Sequence, residues 1–208
     1  MAPKDDLPEK ERFSVSRRDF LKTAGVSSLA TAVTAAGVAE AGAQTTGAPV
    51  VGPGDVPVSL MVNGKRIDLK IEPRVTLLDA LRNRADLTGN KRVCDRGSCG
   101  ACTAIIDGEA VYSCTTLAVS CQGKTIETVE SFDTGEHGVP HAFHQNDALM
   151  CGYCTPGFVT ACKALLDKNP NPSVEEVKKG LEGNICRCGT YVGVMQAALA
   201  AAKAMKGA

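Results

Sequence analysis

The chain has no excess of either charge: 23 lysines and arginines balance 23 aspartates and glutamates over 208 residues. It therefore lacks the basic surface that a nucleic-acid partner requires. No G-x-G-x-x-G or comparable phosphate-cradling stretch occurs, so a bound nucleotide is not expected either. The mildly apolar run from Ala24 to Ala39 is too short and too broken by serine, threonine and glycine to read as a membrane span. Histidine is scarce, at three residues. His137, His141 and His144 fall at i, i+4 and i+7 of one helical face, but no carboxylate or cysteine completes a ligand set beside them, and surface or packing positions are the expected reading.

What the chain has is cysteine, ten in all, and the choice lies between metal ligands, disulfides and buried thiols. Cys94, Cys99, Cys102 and Cys114 stand in C-x4-C-x2-C-x11-C order, the plant-type ligand spacing for a 2Fe-2S cluster. Gly97 and Gly100 lie between the first three, where a backbone free to take positive φ turns its N–H groups toward the sulfurs. A second group follows: Cys151 and Cys154 as C-G-Y-C and, after 31 intervening residues, Cys186 and Cys188 as C-R-C. Each pair precedes a helix, whose positive N-terminal end favours a bound anionic cluster. For this second group zinc stays open as an alternative, although a four-cysteine zinc site usually closes with C-x2-C. Disulfides are the third reading for an exported protein. Cys121 and Cys162 are left over and read as buried, inert thiols.

The first fifty residues read as an address. SRRDFLK at 16–22 carries the twin arginine Arg17-Arg18, the apolar run follows, and small residues near Ala41 and Ala43 offer a cleavage site. Residues 1–43 are the expected signal peptide and 44–55 a flexible lead-in. The twin-arginine route exports folded proteins, so a metal centre is assembled before export and the protein works in the periplasm.

An α+β fold is expected. From Val58, apolar residues alternate to Val62, turn at Asn63-Gly64, and alternate again at Ile67, Leu69 and Ile71. Thr76-Leu77-Leu78-Asp79 resembles a capping box opening a short helix. A second hairpin pivots at Asp107-Gly108, and a last strand is expected within Lys124 to Val129. Together these make a small mixed sheet of the beta-grasp, plant-type ferredoxin kind over 56–132. In 133–208 the spacing turns helical. A segment from about His137 to Leu149, one opened by Pro156 and closed by Asn169-Pro170, one capped by Ser173, and one from Tyr191 to Ala202 make a four-helix bundle.

The two quartets in this order, together with CGYCTPG at 151–157 and GNICRCGTY at 183–191, resemble the small iron-sulfur subunit of the xanthine oxidase, or molybdenum hydroxylase, family. The resemblance covers nearly the whole chain from Val56. It implies that Cys94, Cys99, Cys102 and Cys114 hold a distal 2Fe-2S cluster, and that Cys151, Cys154, Cys186 and Cys188 hold a proximal one. The proximal cluster would lie next to a molybdenum-pterin cofactor on a separate large subunit. Electrons would leave through the distal cluster to an FAD subunit or a c-type cytochrome, so this chain has no catalytic residues of its own. Many relatives carry glutamine where this chain has Met150, which removes one expected pterin hydrogen bond. Export points to the aldehyde-oxidising branch. N-heterocycle hydroxylation and a free-standing two-cluster ferredoxin are the alternatives.

Overall fold

The structure is a computed structural model that describes Ser16, Arg18 and residues 52–132, 135, 136 and 138–206. The twin-arginine signal, apart from those two residues, and His137 lie outside the described residues. The described residues from 52 onward belong to one compact unit. Among the described residues no helix is long and apolar enough to cross a membrane.

The unit opens with β1 (Val56–Val62) and β2 (Lys65–Ile71), paired antiparallel in full register from Val56 opposite Ile71 to Val62 opposite Lys65. Asn63 and Gly64 take φ of 52° and 73°, the doubly left-handed turn whose twist suits a two-residue hairpin. Helix α1 (Leu77–Arg84) starts at Thr76, whose hydroxyl accepts from the Asp79 N–H at 3.2 Å, and it buries Leu77, Leu78, Ala80 and Leu81. The second hairpin, β3 (Thr103–Ile106) and β4 (Glu109–Tyr112), turns at Asp107-Gly108. A 3-10 turn at Ala118–Cys121 leads into β5 (Thr125–Glu127).

The sheet order is β2-β1-β5-β3-β4. The last strand sits in the middle, parallel to β1 and antiparallel to β3, as the beta-grasp expectation requires. Its two central ladders are non-local, and they are closed by an apolar cluster of Val58, Leu60, Val62, Ile71, Leu77, Leu81 and Ile126 between sheet and α1.

Four helices follow: α2 (Val139–Gln145), α3 (Thr155–Lys168), α4 (Val174–Leu181) and α5 (Tyr191–Ala204). Ser173 caps α4 with a complete capping box, its hydroxyl accepting from the Glu176 N–H while the Glu176 carboxylate accepts from the Ser173 N–H at 2.7 Å. The helices bury Phe143, Phe158, Leu166, Val177, Val194 and a run of alanines. Each of the large side chains among them contributes roughly 1.5–3 kcal/mol on leaving water. Small residues let α5 lie close: a Cβ on Gly193 would come 2.7 Å from the Asn146 carbonyl oxygen. Ile105 of β3 belongs to this same apolar cluster, so the sheet and the helices meet along α3.

Candidate metal centres

The first quartet lies in the loop between α1 and β3 and at the end of β4. Lys91 N–H closes the loop onto the Ala101 carbonyl at 3.0 Å, and Arg92 clamps it from outside, paired with Asp79 and, at 3.0 Å, with Asp95. Gly97 and Gly100, at φ of 71° and 69°, turn the loop as the sequence required. The Gly97 N–H donates to Cys114 Sγ at 3.3 Å and the Ser98 N–H to Cys94 Sγ at 3.4 Å. Such inward amides form a nest for negative charge. The N–H of Arg96, above all, together with those of Ser98 and Cys99 and the Cys99 thiol, brings the Cys94 thiol down to about 7. Burial pushes Cys102 up to about 11. One side of the quartet is thus open and anion-ready, and the other is sealed.

The second quartet sits where α3 and α5 begin. Cys154 occupies the cap position of α3, and Cys186 and Cys188 lie just before Thr190, which holds that position for α5. Burial raises the Cys186 thiol, but the Thr190 hydroxyl at 3.2 Å, the Thr190 and Gly189 N–H groups and Cys154 outweigh it and bring it to about 7. Burial pushes Cys154 up to about 12. The Tyr191 hydroxyl accepts from the Cys186 N–H at 2.9 Å, and its ring meets Phe158 edge-on at 6.1 Å. Thr155, next to Cys154, has a buried hydroxyl with no partner. A buried orphan of this kind costs about 1–3 kcal/mol and marks a place where a further group belongs.

Within each quartet the thiols meet two by two. Cys94 lies beside Cys99 and Cys102 beside Cys114; Cys154 lies beside Cys186 and Cys151 beside Cys188, each pair close enough for one thiol to shift the other's titration. Among the described residues no three of Cys, His, Asp and Glu converge on one point, as a single tetrahedral ion needs. A 2Fe-2S group would draw two thiolates from each pair, which a two-plus-two set can supply, and all ten cysteines are free thiols.

The second quartet lies at an apolar surface. Met150, Tyr153, Ile185, Tyr191 and Val192 are all exposed around it, Met150 by 71%. The first quartet is joined to the second by a short bridge, the Ile185 N–H donating to the Cys99 carbonyl at 2.9 Å one residue before Cys186. Residues 125–199 match the model of the [2Fe-2S] binding domain. The aldehyde oxidoreductase iron-sulfur-binding subunit PaoA of Escherichia coli K12 is 34% identical over 95% of this chain and 96% of its own length.

The chain belongs to the small 2Fe-2S subunits of the molybdenum hydroxylases.

Other relatives span both substrate types. The nicotine 6-hydroxylase small subunit of Paenarthrobacter nicotinovorans is 45% identical over 69% of this chain and 88% of its own. The subunit superposes on quinoline 2-oxidoreductase from Pseudomonas putida with a TM-score of 0.70 and 40% identity, covering 74% of this chain and 98% of that one. It also superposes on the aldehyde oxidoreductase of Desulfovibrio gigas with a TM-score of 0.68 and 34% identity, over 73% of this chain and 17% of that one. It is accordingly an electron-transfer component of a multi-subunit oxidoreductase and binds 2Fe-2S.

Of the eight cysteines singled out from spacing, the structure places Cys94, Cys99, Cys102 and Cys114 in the loop before β3 and just after β4, and Cys151, Cys154, Cys186 and Cys188 at the starts of α3 and α5. Cys121 is buried beside the sheet and Cys162 within the helical core. His141 is half-buried and His144 exposed. Tyr112, Asn184, Thr190 and Tyr191 were not picked out as site residues from the sequence. Asn184, Thr190 and Tyr191 lie within the GNICRCGTY stretch, which was the available signal.

Proposed function

We propose that the subunit holds two 2Fe-2S clusters, one on Cys151, Cys154, Cys186 and Cys188 and one on Cys94, Cys99, Cys102 and Cys114, and that electrons pass in that order. The helical half, 133–208, would carry the first of these and the sheet half, 56–132, the second. A 2Fe-2S cluster takes up and gives back one electron at a time. The chain's own residues do the rest: inward amides steady the thiolates, apolar packing keeps water from the buried sulfurs, and the Ile185–Cys99 hydrogen bond links the two sites. The observation that carries the reading is the two-plus-two pairing of thiols at both sites, joined by that bond.

The exposed apolar rim around Cys151 and Cys188 suits a large, permanently bound subunit, which we assign as the molybdenum-pterin partner. Met150 meets it by packing, since it offers no hydrogen bond to the pterin. Electrons leave from the first quartet to an FAD subunit or a c-type cytochrome. Aldehydes are the favoured substrates and the periplasm the favoured location. The match to the aldehyde oxidoreductase subunit takes in 95% of the chain and so extends into the segment carrying SRRDFLK, which we assign to twin-arginine export. The higher identity to the nicotine and quinoline enzymes supports N-heterocycle oxidation as the second reading.

The protein purified with its partners should hold four irons and four labile sulfides per chain and bleach with dithionite. A colourless chain binding only zinc would overturn the assignment, and a stable monomer that never co-purifies with a larger subunit would favour a free carrier. An activity screen of aldehydes against N-heterocycles decides the substrate, and loss of export on replacing both Arg17 and Arg18 by lysine tests the location.

A further inference from the structure

Tyr112 closes β4, two residues before Cys114, and its ring packs against Leu78, Cys102 and Cys114 at the back of the first quartet. Its hydroxyl is a hydrogen-bond donor. It donates to the Gly183 carbonyl at 2.8 Å, three residues before Cys186 of the second quartet. Gly183 is kept bare by this contact: a Cβ there would land on the Tyr112 hydroxyl. The next two residues continue the seam. Asn184 Nδ2 donates to the Gly100 carbonyl at 2.9 Å, and the Ile185 N–H to the Cys99 carbonyl at 2.9 Å. In those two bonds the sheet half only accepts, through its backbone. The Tyr112 bond is the one in this seam that the sheet half donates, and it comes from a side chain.

We propose that Tyr112 is a positioning residue that fixes the separation of the two metal centres by holding the Gly183–Cys186 segment against the first. The role rests on the two-cluster reading above. It follows from where the bond falls: the segment is anchored at Gly183 by Tyr112, at Asn184 by Gly100 and at Ile185 by Cys99, and the next residue is a ligand. Release of the first anchor lets the segment lift and carries Cys186 slightly away from the first site, lengthening the bridge between the sites while leaving every cysteine available as a ligand.

The test uses the full chain in its purified complex, with Tyr112→Phe, Gly183→Ala and the double variant. Iron content, the magnetic interaction between the two reduced centres by electron paramagnetic resonance, and hydrogen exchange of residues 181–187 are measured. Tyr112→Phe should keep all four irons, weaken the interaction and speed exchange of the segment roughly fivefold, the effect of losing one net hydrogen bond. Gly183→Ala should do the same more strongly, because its Cβ displaces the hydroxyl. In the double variant the missing hydroxyl leaves that Cβ an ordinary 3.5 Å from the ring carbon Cζ, so the double should resemble Tyr112→Phe alone. Unchanged interaction and exchange in Tyr112→Phe, or a double variant in which the two effects add, would overturn the role. A wild-type protein with fewer than four irons would instead sink the two-cluster reading, and the iron count distinguishes that failure from the others.

Discussion

Gly157, in the first turn of α3, is where the helical half presses hardest on the first quartet. A Cβ at this position would land on the Gly100 carbonyl oxygen and lie 2.9 Å from the Ala101 Cα. Both are backbone in the loop that carries Cys99 and Cys102, and backbone cannot swing aside as a side-chain tip can. Gly157→Ala should therefore cost near the upper end of the overpacking range, about 3 kcal/mol. Alanine recovers about 1 kcal/mol of helix propensity, leaving a net loss of about 2 kcal/mol. For a chain of this size each kcal/mol lowers the midpoint by roughly 2–4 °C, so the melting temperature should fall by about 4–8 °C. The control is Gly180 in α4, where a Cβ meets only the Leu165 side chain, its methyls at 2.9 Å and its Cγ at 3.3 Å, and a side chain can shift to another rotamer. Gly180→Ala should leave the melting temperature unchanged or raise it by a few degrees. Thermal melts of the purified protein, with iron content alongside, measure both. If Gly157→Ala melted as high as Gly180→Ala with its iron content unchanged, the tight seating of α3 on the loop would be refuted.

Cys99→Ser should leave substrate binding at the partner intact and stop electron exit; unchanged turnover with the natural acceptor would refute the order of the two sites. Burial pushes the Cys162 thiol up to about 12, while an unfolded cysteine titrates near 8.5. Between those values the folded chain keeps a proton that the unfolded chain has released. Its contribution to stability is therefore complete below about pH 8.5 and falls as pH rises toward 12, at about 1.4 kcal/mol per pH unit in mid-range. Urea midpoints from pH 8 to 11 should show a shallower alkaline decline in Cys162→Ala than in the wild type, and identical slopes would count against a neutral buried thiol.

The elements readable from the sequence were those fixed within a few residues. Asn63-Gly64 and Asp107-Gly108 set both hairpins because such residues tolerate the left-handed turn, and Thr76 and Ser173 set helix starts because each caps an N–H three residues on. Cysteine spacing speaks only for neighbours within C-x4-C-x2-C, C-x2-C and C-x-C, where the chain is too short to part the sulfurs; the 11- and 31-residue intervals are closed by the fold. Strand order was out of reach: β5 enters the sheet between β1 and β3, and no local signal marks a pairing between Met61 and Thr125. The seam formed by Tyr112, Asn184 and Gly157 was equally hidden, because each is an ordinary residue until the fold brings a distant carbonyl or hydroxyl against it.

The central place of β5 carries a consequence for synthesis. While the ribosome is still adding residues beyond the first quartet, β1 and β2 form an isolated ribbon, which is marginal in water. The sheet cannot join until Thr125–Glu127 emerges and bridges β1 to β3. The carbonyls of Cys99 and Gly100 wait longer still for Ile185 and Asn184. A nascent chain stalled before residue 183 would thus display the loop at 94–102 without its cover.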